Sequence, residues 1–490
     1  MPKILFVTSE ATPFIKAGIL GDVAVALPVA LKSLKENVRL ILPAYGDVLK
    51  QISYPKVVAK LFLPGIAGKI NLLETYLPGT SIKTLLVDYG PAFNRRGDPY
   101  TDKKGLPWED NAERFTLFCR AVCEVCMGRT KISWRPDIVH CNDWPTGLVP
   151  ALLQFEKNPP ASLFTIHNLA YQGLFTRQTF NALSLPAELW DKAALEYRGK
   201  MSFIKGGLMF ADRVNTVSPH YAKEIQTSEF GFGLEDILQQ RGDELIGILN
   251  GIDYSVWNPE LDALIHTNYC AETLHEKYYN KLQLLREFGL PEDTESLLIG
   301  YVGRLAQPKG VDLIIEFLKH IAHLPVQFCL LGLGDRSYQN RLRALANKYP
   351  EQIAIKLCYS ENLAHQIEAG ADAFLMPSHI EPCGLNQLYS LSYGTVPIVH
   401  YVGGLADSVV DVTDRSIKDN TATGFVFYQS NSSDLLAAVE HALECYRQPK
   451  LWYQIMTNGM RQRFNWLDSA DKYQNLYQSA MVKRMDEVVV

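Results

Sequence analysis

Short apolar runs alternate with segments of helical periodicity along most of the chain. The runs are rich in β-branched residues and are bounded by turn residues, which is typical of strands buried in a sheet. Helical patterns lie between them, and residues 23–35 and 112–126 are clear examples. Strands that alternate with helices predict an α/β protein whose parallel sheets are covered by helices. The strand-like runs of the first half are residues 3–7, 85–87, 138–140, 162–166 and 214–217.

This alternation stops and then begins again. Residues 250–253, Asn-Gly-Ile-Asp, end the first series, and a partly polar stretch with a proline follows at residues 257–267. The restart predicts two doubly wound, Rossmann-like domains, residues 1–255 and 256–469, and a last amphipathic helix within residues 470–490. Such sheets bind ligands at the carboxyl ends of their strands, so we expect a site in a deep cleft between the domains. The new strand-like runs are residues 297–302, 327–331 and 373–376.

The composition argues against several classes of partner. The 490 residues carry a formal net charge of −5, so we expect no basic surface for nucleic acid or for an anionic membrane. Basic residues that folding brings together are expected to serve a small anion instead. No apolar run reaches the length of about 18 residues that a membrane span needs, and no signal or transit segment precedes the first strand. We therefore expect a cytoplasmic protein.

The cysteines are expected to be reduced, because the chain has nine of them, an odd number. Cys123 and Cys126 form a CxxC, which is the spacing of some metal and redox sites. However, Cys119, Cys123 and Cys126 recur with Phe115 and Val122 at helical spacing, and cysteine packs as a small hydrophobe. The pattern therefore predicts the buried face of a core helix and no metal site.

Residues 376–407 combine a carboxylate, a thiol and two glycine turns between strand-like runs. Glu381 follows one run, and Gly403 and Gly404 follow the next. A strand that ends in a glycine turn and feeds a helix presents free backbone N–H groups, which bind anions such as phosphate. A glutamate at this place can act on a sugar or ribose hydroxyl. The alternative interpretation makes Glu381 a solvated turn residue.

Two loops that contain cations also follow predicted strands. The first runs from Lys16 through Gly18 to Asp22 at the start of a helix, and such a loop can cradle a phosphate. The second carries Arg304 and Lys309, five positions apart, before another helix. Arginine offers a planar fork and lysine a point charge, a combination that suits a diphosphate. The alternative is a surface loop with two exposed cations.

Histidine and aspartate mark two further strand ends. His140 and Asp143 stand at one end, and His167 and Asn168 stand at another. A single histidine in such a place is more often a structural residue. Two strand ends that carry His and Asp at one edge of a sheet favour a cleft that binds a ligand.

The combined motifs resemble those of the bacterial glycogen synthase and starch synthase family, in the same order over nearly the whole chain. The similar segments are residues 16–22, 98–100, 111–115, 167–173, 211–219, 229–234, 250–259, 304–310 and 378–407. The resemblance implies a GT-B fold and transfer of glucose from ADP-glucose to the non-reducing end of an α-1,4-glucan, in glycogen or starch synthesis. It also implies retention of the anomeric configuration, no cofactor or metal, and a C-terminal helix that crosses back to the first domain.

On the donor side, the resemblance implies a role for each matching residue. Arg304 and Lys309 would neutralise the departing diphosphate, and Glu381 would hold the donor sugar or the ribose. Tyr359, after the strand-like run 353–358, would stack on adenine. Backbone amides would contact the sugar and the distal phosphate at Cys383, Gly384, Leu385, Gly403 and Gly404.

On the acceptor side, the resemblance places His167 and Asp143 beside the reacting carbon. Tyr100 and the loop at Asp98 would face the acceptor glucan. No second carboxylate is placed as an obvious nucleophile opposite Glu381, so the predicted mechanism is attack on the same face, with the leaving phosphate accepting the proton of the acceptor. Substrate-binding roles are further implied for Lys16, Gly18, Asp22 and Asn250.

Two positions depart from the family pattern. Ile19 stands where the glycine loop usually has its second glycine, and Asn386 replaces a usual threonine. A β-branched residue resists positive φ, so we predict a modified path of the loop with Ile19 at negative φ. A catalytically weakened glucan-binding or regulatory homologue is therefore an alternative. Residues 331–335, Leu-Gly-Leu-Gly-Asp after a strand, would suggest a nucleotide-dependent dehydrogenase, but the third glycine of that motif is missing.

Overall fold

The computed structural model describes residues 1–52 and 55–489, and the chain divides into two compact units. The first unit comprises Met1–Asn250 and Trp466–Val490, and the second comprises Gly251–Asn465. Each unit contains a largely parallel open sheet with helices between its strands, so the predicted α/β class is confirmed. Within the described part of the chain, no helix is both long enough and apolar enough to cross a membrane.

The first unit contains a large sheet and a small one. The large sheet has the strand order β12-β11-β7-β6-β1-β2-β5-β4-β3, and the small antiparallel sheet has the order β8-β10-β9. Strands β12 to β5 are parallel, whereas β4 and β3 run antiparallel to their neighbours. The described strands are β1 (Lys3–Val7), β2 (Asn37–Pro43), β3 (Lys56–Leu61), β4 (Ile70–Tyr76), β5 (Lys83–Asp88), β6 (Ile138–Asn142), β7 (Ala161–Ile166), β8 (Leu174–Thr176), β9 (Glu196–Tyr197), β10 (Lys200–Ser202), β11 (Arg213–Thr216) and β12 (Leu245–Gly247).

The second unit contains one parallel sheet in the order β15-β14-β13-β16-β17-β18. Its strand order reverses between β13 and β16, as the order of the first sheet reverses between β1 and β6. Open α/β sheets bind ligands at such switch points, beyond the carboxyl ends of the strands. The strands are β13 (Leu297–Val302), β14 (Val326–Leu331), β15 (Ile353–Lys356), β16 (Ala373–Met376), β17 (Val396–His400) and β18 (Phe425–Phe427).

Helices connect the strands of both sheets. In the first unit they are α1 (Leu20–Ser33), α2 (Gly46–Gln51), α3 (Gly90–Phe93), α4 (Asn111–Cys126), α5 (Leu148–Leu153), α6 (Arg177–Ala182), α7 (Phe203–Phe210), α8 (Pro219–Glu224) and α9 (Glu235–Arg241). In the second unit they are α10 (Lys277–Phe288), α11 (Val311–Leu318), α12 (Arg336–Lys348), α13 (Glu361–Gly370), α14 (Asn386–Ser392), α15 (Gly403–Ser408), α16 (Asp414–Lys418), α17 (Ser432–Tyr446) and α18 (Pro449–Arg461). The last helix, α19 (Trp466–Val489), belongs to the first unit.

Apolar periodicity predicted several of these elements closely. Strands β1, β13 and β16 begin and end where the sequence predicted, because their residues form continuous apolar runs that are almost wholly buried. Helix α4 buries Cys119, Cys123 and Cys126, which confirms the prediction of a core face. Burial raises the pKa of the Cys119 thiol to about 12, so this sulfur stays protonated and inert.

Helix α19 packs on the first unit through polar contacts as well as apolar ones. The Tyr477 hydroxyl lies 2.9 Å from His140 Nδ1, and Asn215 Nδ2 donates to the Tyr473 hydroxyl at 3.0 Å. His140 is fully buried, and its Nε2 lies 2.6 Å from Thr165 Oγ1. His140 is therefore a structural residue that fixes the helix to the sheet.

Candidate functional site

A buried glutamate stands at the switch point of the first sheet. Glu10 follows β1 and is 3% exposed. Its Oε2 accepts hydrogen bonds from the backbone N–H groups of Ala17 (2.6 Å) and Gly18 (2.8 Å), and its Oε1 accepts one from the Tyr100 hydroxyl (2.6 Å). The carboxylate therefore occupies two amides that the glycine loop was expected to offer to a phosphate. One side chain thus holds both the glycine loop and Tyr100.

The rest of the glycine loop is also tied down. Lys16 Nζ forms an ion pair of 2.7 Å with Asp22 Oδ2 in the first turn of α1. Ile19 has φ −62° and ψ −29°, which confirms its predicted negative φ. A Cβ built on Gly18 would meet no atom within 4 Å, so the packing of the unit itself does not demand a glycine there. The loop is strain-free at Ile19 and open at Gly18.

The loop that carries Tyr100 is held in place by residues at the start of α4. Asp98 Oδ1 accepts a hydrogen bond from the backbone N–H of Tyr100 at 2.7 Å, and Asn111 Nδ2 donates to the Tyr100 carbonyl at 2.9 Å. The buried guanidinium of Arg114 donates to Asn111 Oδ1 (2.7 Å) and to the Pro99 carbonyl (3.1 Å). The residues of the segment 111–115 therefore position the Tyr100 loop.

Asp143 and His167 come together at the ends of β6 and β7. Asp143 Oδ1 accepts hydrogen bonds from the backbone N–H groups of His167 (2.8 Å) and Asn168 (3.4 Å). Asp143 has φ +56°, a conformation that costs a non-glycine residue about 1–3 kcal/mol and that clusters at functional sites. Burial raises the pKa of Asp143 to about 7, against the opposing effect of the two N–H donors. Burial also lowers the pKa of His167 to about 3, so its imidazole is neutral at pH 7.

His167 and Asn250 are two of the buried side chains in the first unit whose polar atoms lack a partner among the described residues. His167 Nε2 lies 2.9 Å from Asn142 Oδ1, but His167 Nδ1 has no hydrogen-bond partner. Both polar atoms of the Asn250 amide are likewise unpaired, although Asn250 is only 2% exposed. Buried polar groups are normally hydrogen-bonded, so unpaired ones call for an explanation. These atoms can receive the hydroxyl groups of a ligand.

An ion pair dominates the switch point of the second sheet. Lys309 Nζ lies 2.5 Å from Glu381 Oε2, and the Ser378 hydroxyl donates to the same oxygen at 3.1 Å. Glu381 is 2% exposed, whereas the side chain of Lys309 is 35% exposed. The interpretation of Glu381 as a solvated turn residue is therefore wrong. Lys309 is thus a counter-ion that contacts both the buried Glu381 carboxylate and solvent.

Glycines let the backbone segments around this ion pair pack very closely. Gly310 has φ +67°, and a Cβ there would lie 1.8 Å from the Pro377 carbonyl oxygen. Gly403 has φ +45°, and a Cβ there would lie 1.9 Å from the Glu381 carbonyl oxygen. Any side chain at either position would displace the turn that carries Glu381. The N–H of Gly404 donates to the Glu381 and Pro382 carbonyls at 3.2 Å each, so this amide is engaged within the protein.

The other predicted donor residues differ in their surroundings. Arg304 lies two residues after the end of β13, and its side chain is exposed. Tyr359 is 77% exposed, and its hydroxyl donates to Glu361 Oε2 at 2.8 Å. Asn386 Nδ2 donates to the Val302 carbonyl at 2.8 Å, which ties α14 to the end of β13. The remaining predicted positions form the buried turn before α14, which is Cys383, Gly384 and Leu385.

The sequence did not predict two residues of the candidate site, Glu10 and His379. Glu10 gave no signal beyond its place after β1, because its partners Gly18 and Tyr100 belong to other segments. His379 Nε2 lies 2.9 Å from Asp312 Oδ1, which braces the loop before Glu381 against α11. A histidine two residues before the glutamate was a visible signal, but its partner was not.

The glycines of residues 331–335 serve packing of the sheet. A Cβ on Gly332 would lie 2.1 Å from the Gly303 carbonyl oxygen, and one on Gly334 would lie 2.1 Å from the Leu305 carbonyl oxygen. Asp335 caps α12, where its side chain accepts from the Ser337 N–H at 2.7 Å. Nothing in this turn requires a dinucleotide, and the structure gives the motif a local explanation.

Solved structures share this fold over nearly the whole chain. The catalytic domain of starch synthase IV from Arabidopsis thaliana, solved with ADP and acarbose, matches with a TM-score of 0.87 and 30% sequence identity, covering 98% of this chain and 99% of that one. A sucrose-phosphate synthase from Thermosynechococcus elongatus has the same fold, with a TM-score of 0.60, 17% identity and coverage of 98% and 100%. The fold and the switch-point sites define a glycosyltransferase of the GT-B class, as predicted.

The sequence relatives define the family more closely. Residues 3–240 match the family model of the starch synthase catalytic domain, and residues 286–458 match that of the glycosyl transferases group 1. Glycogen synthase 1 of Methylococcus capsulatus is 49% identical over 98% of this chain and 97% of its own length. Glycogen synthase 2 of Nitrosococcus oceani is also 49% identical, with the same coverage. The chain belongs to the glycogen synthase family, which confirms the family and the enzyme class that its motifs predicted.

Proposed function

We propose that the protein transfers glucose from ADP-glucose to the non-reducing end of an α-1,4-glucan and retains the anomeric configuration. Membership of the glycogen synthase family supports the reaction class. The ADP and acarbose bound to the Arabidopsis starch synthase IV support an adenine nucleotide donor and a glucan-like acceptor. In this proposal, residues 1–255 carry the acceptor side, residues 256–469 carry the donor side, and residues 470–490 return to the first domain.

One observation carries the proposal, namely the 2.5 Å ion pair of Lys309 and Glu381 at the switch point of the second sheet. Lys309 is half-exposed and Arg304 is exposed, so both cations are available to a diphosphate beyond the strand ends. Fixed cations stabilise a bound phosphate most strongly when negative charge develops on it during bond cleavage. We assign Arg304 and Lys309 to the departing ADP and Glu381 to a hydroxyl of the donor.

The rest of the donor site follows the same assignment. The exposed ring of Tyr359 is available to stack on adenine, and stacking of a base on an aromatic side chain contributes about 1–3 kcal/mol. The turn that includes Cys383, Gly384 and Leu385, together with Gly403, would approach the sugar and the distal phosphate through its backbone. Because the Gly404 amide already bonds two carbonyls, Gly404 would act by allowing the close approach of the turn rather than by donating to the ligand.

The first unit would supply neutral groups for the sugar. His167 is neutral at pH 7, and its Nδ1 and the Asn250 amide have unused hydrogen-bonding capacity toward the described residues. We assign His167 and Asp143 to the sugar at the reacting carbon and Tyr100 to the acceptor. The glycine loop, with Lys16, Gly18 and Asp22, would then move or exchange its bond to Glu10 when the donor binds.

The proposed mechanism is attack on the face from which ADP departs. The bond between the anomeric carbon and the diphosphate oxygen breaks, and the acceptor hydroxyl oxygen forms the new bond at the same carbon. The proton of that hydroxyl passes to the leaving phosphate oxygen, which acts as the base. This route needs no protein nucleophile. Catalysis then depends mainly on the charges that hold the diphosphate.

The test is transfer of labelled glucose to glycogen, with ADP-glucose and UDP-glucose supplied side by side. We expect transfer from both or from ADP-glucose alone, with ADP-glucose the better donor. Equal or faster transfer from UDP-glucose would contradict the role of Tyr359. Binding of glucan without any transfer would instead favour the alternative of a weakened, regulatory homologue.

A further inference from the structure

The first unit has a cleft at the edge where its parallel strands begin, the edge opposite to that of Glu10 and Asp143. It has a volume of about 630 Å³. It lies beside the first residues of β2 and β5, the last residue of β4 and the C-terminal end of α1. No function described above uses this cleft. We call it the basic cleft, and its charged and aromatic lining residues are Lys32, Lys35, Glu36, Arg39, Tyr76 and Lys83.

Register and helix geometry bring the cations of the basic cleft together. Arg39 on β2 pairs directly with Lys83 on β5, and Lys83 pairs with Tyr76 on β4. Lys32 stands in the last turn of α1. Lys35 has φ +69°, so the chain turns sharply there between α1 and β2. Four positive side chains therefore line one cleft, and they come from two strands, the end of α1 and the turn that follows it.

Few protein groups neutralise these cations. Lys32 Nζ donates to the Ser81 carbonyl, and the side chains of Lys35 and Lys83 form no hydrogen bond or ion pair with any residue that the structure describes. Arg39 pairs with Glu74 at 3.3 Å and lies over the Trp134 ring at 4.7 Å. Burial lowers the pKa of Arg39, and the neighbouring Glu74 carboxylate opposes this shift.

Among the residues that line the basic cleft, one carboxylate opposes this charge. Glu36 lines the basic cleft, and its Oε1 accepts a hydrogen bond from Gln474 Nε2 at 2.6 Å. Its Oε2 is buried and has no partner among the described residues. A bound anion would be repelled by Glu36 and attracted by the four cations. Glu36 therefore gives a test in which removal of a charge should strengthen binding.

We propose that the basic cleft binds a small organic phosphate that carries at least two phosphate charges. The chain has a net charge of −5, so four cations in one cavity are a local feature and not part of a basic surface. A cleft of about 630 Å³ has room for a sugar bisphosphate. The ring of Tyr76, which is 54% exposed, offers an aromatic face to the sugar. This inference is independent of the donor site proposed above.

The direct test is isothermal titration calorimetry of the full-length protein with glucose 1,6-bisphosphate. Glucose serves as the uncharged control ligand, and the variants below separate binding in the basic cleft from binding at the proposed donor site. We expect one saturable site for the bisphosphate and none for glucose. Raising the salt concentration should weaken the binding, because the attraction is between charges.

Three variants locate the site. Lys35→Gln with Lys83→Gln should weaken binding about tenfold or more, since two of the four cations are lost. Glu36→Gln should tighten it severalfold. Lys157→Gln with Lys223→Gln removes the same net charge at two exposed lysines outside the cleft and should leave affinity unchanged.

Each contrary outcome would overturn the inference. It fails if no bisphosphate binds, or if the Lys35→Gln, Lys83→Gln variant binds as the control variant does. Tighter binding of the bisphosphate by Glu36→Gln would support the inference, because a ligand bound elsewhere would not respond to this change. Equal affinity for pyrophosphate and glucose 1,6-bisphosphate would remove Tyr76 and the sugar from the proposal, because only the phosphate charges would then be recognised. Glucose transfer is not measured, so the result does not depend on the proposed function.

Discussion

The two switch points have the same strand-end geometry but opposite electrostatics. In the first unit, burial keeps the groups close to neutrality, with a pKa of about 7 for Asp143 and about 3 for His167. In the second unit, Lys309 and Glu381 form a charged pair at 2.5 Å, and Arg304 is exposed in the same loop as Lys309. The ends of β6 and β7 thus form a neutral edge that suits hydroxyl groups, whereas the switch point of the second sheet forms a charged edge that suits a diphosphate.

The difference arises from what the strand ends carry and how they are covered. Asp143 receives only backbone N–H groups, which do not offset the cost of removing its charge from water. Glu381 is equally buried but has a lysine within contact distance, and the lysine reaches solvent. A counter-ion that stays partly hydrated lets a buried carboxylate keep its charge.

The sharpest test of the charged edge is removal of its cations. Arg304→Ala and Lys309→Ala should each lower kcat for glucose transfer by about 100-fold or more, because each removes a fixed charge where negative charge develops. Turnover is measured at saturating ADP-glucose, and circular dichroism checks that the fold remains. The matched control is Lys319→Ala, which removes an exposed lysine of the same unit that pairs with Glu316.

A double-mutant cycle shows whether Lys309 and Glu381 act as a unit. Glu381→Gln should also lower turnover, and the combined variant should be little worse than Lys309→Ala alone. Near-normal turnover in either cation variant would refute the diphosphate role of that residue. A normal rate for Glu381→Gln would limit that side chain to a structural role.

The neutral edge can be tested through its pH dependence. In the folded protein Asp143 keeps a proton between about pH 4 and pH 7 that the unfolded chain has lost. Its burial therefore costs stability that grows as the pH rises through this window and is complete above about pH 7. Asp143→Asn removes this cost while the amide oxygen still accepts the N–H of His167, so the variant should gain roughly 1–3 kcal/mol at pH 8 and nothing near pH 4.

Melting temperatures of wild type and Asp143→Asn at pH 5 and pH 8 measure this effect, and transfer assays accompany them. We expect turnover to fall by about 30-fold even though stability rises, as at other sites where function is retained at a cost in stability. An equal difference in melting temperature at both pH values would show that Asp143 is charged in the folded protein. The contrast between the two edges would then be wrong.

Glu10 tests whether the first edge relies on charge after all. Glu10→Gln keeps the size of the side chain but weakens its hydrogen bonds to the Ala17 and Gly18 amides and to Tyr100. The loss of charge assistance should raise the KM for ADP-glucose or glucan about tenfold, with a smaller change in kcat. Glu188→Gln, at an exposed position of the same unit, is the control. Unchanged kinetics would mean that the loop does not need Glu10 during turnover.

The smallest expected effect belongs to Ile19. Ile19→Gly should tighten ADP-glucose binding or raise the transfer rate by about threefold, because a glycine amide can approach a donor more closely. It should also cost about 1 kcal/mol of stability, since Ile19 packs partly on the core at the start of α1. Gly18→Val should weaken donor binding, although the free protein has room for a side chain there. Donor saturation curves decide, with Ala17→Gly as the control for loop flexibility.

Local patterns predicted the parts of the site that depend on one segment. The turn at Glu381, the cations at Arg304 and Lys309 and the negative φ of Ile19 follow from strand ends, glycines and side-chain shape. The links between segments could not be predicted in the same way. Glu10 meets Tyr100 across 90 positions and His140 meets Tyr477 across 337, and apolar periodicity carries no information on such pairs.

Helix α19 has a consequence for the order in which the protein forms on the ribosome. All of the second unit lies between Asn250 and this helix in the chain, so the second unit emerges before the first unit has its last helix. Until then, the buried side chains of His140 and Asn215 lack the tyrosine hydroxyls that they bond in the finished protein. Domains tend to fold as they are synthesised. Here the unit that emerges second can complete its fold first, and the unit that emerges first can complete its fold only after α19 has been synthesised.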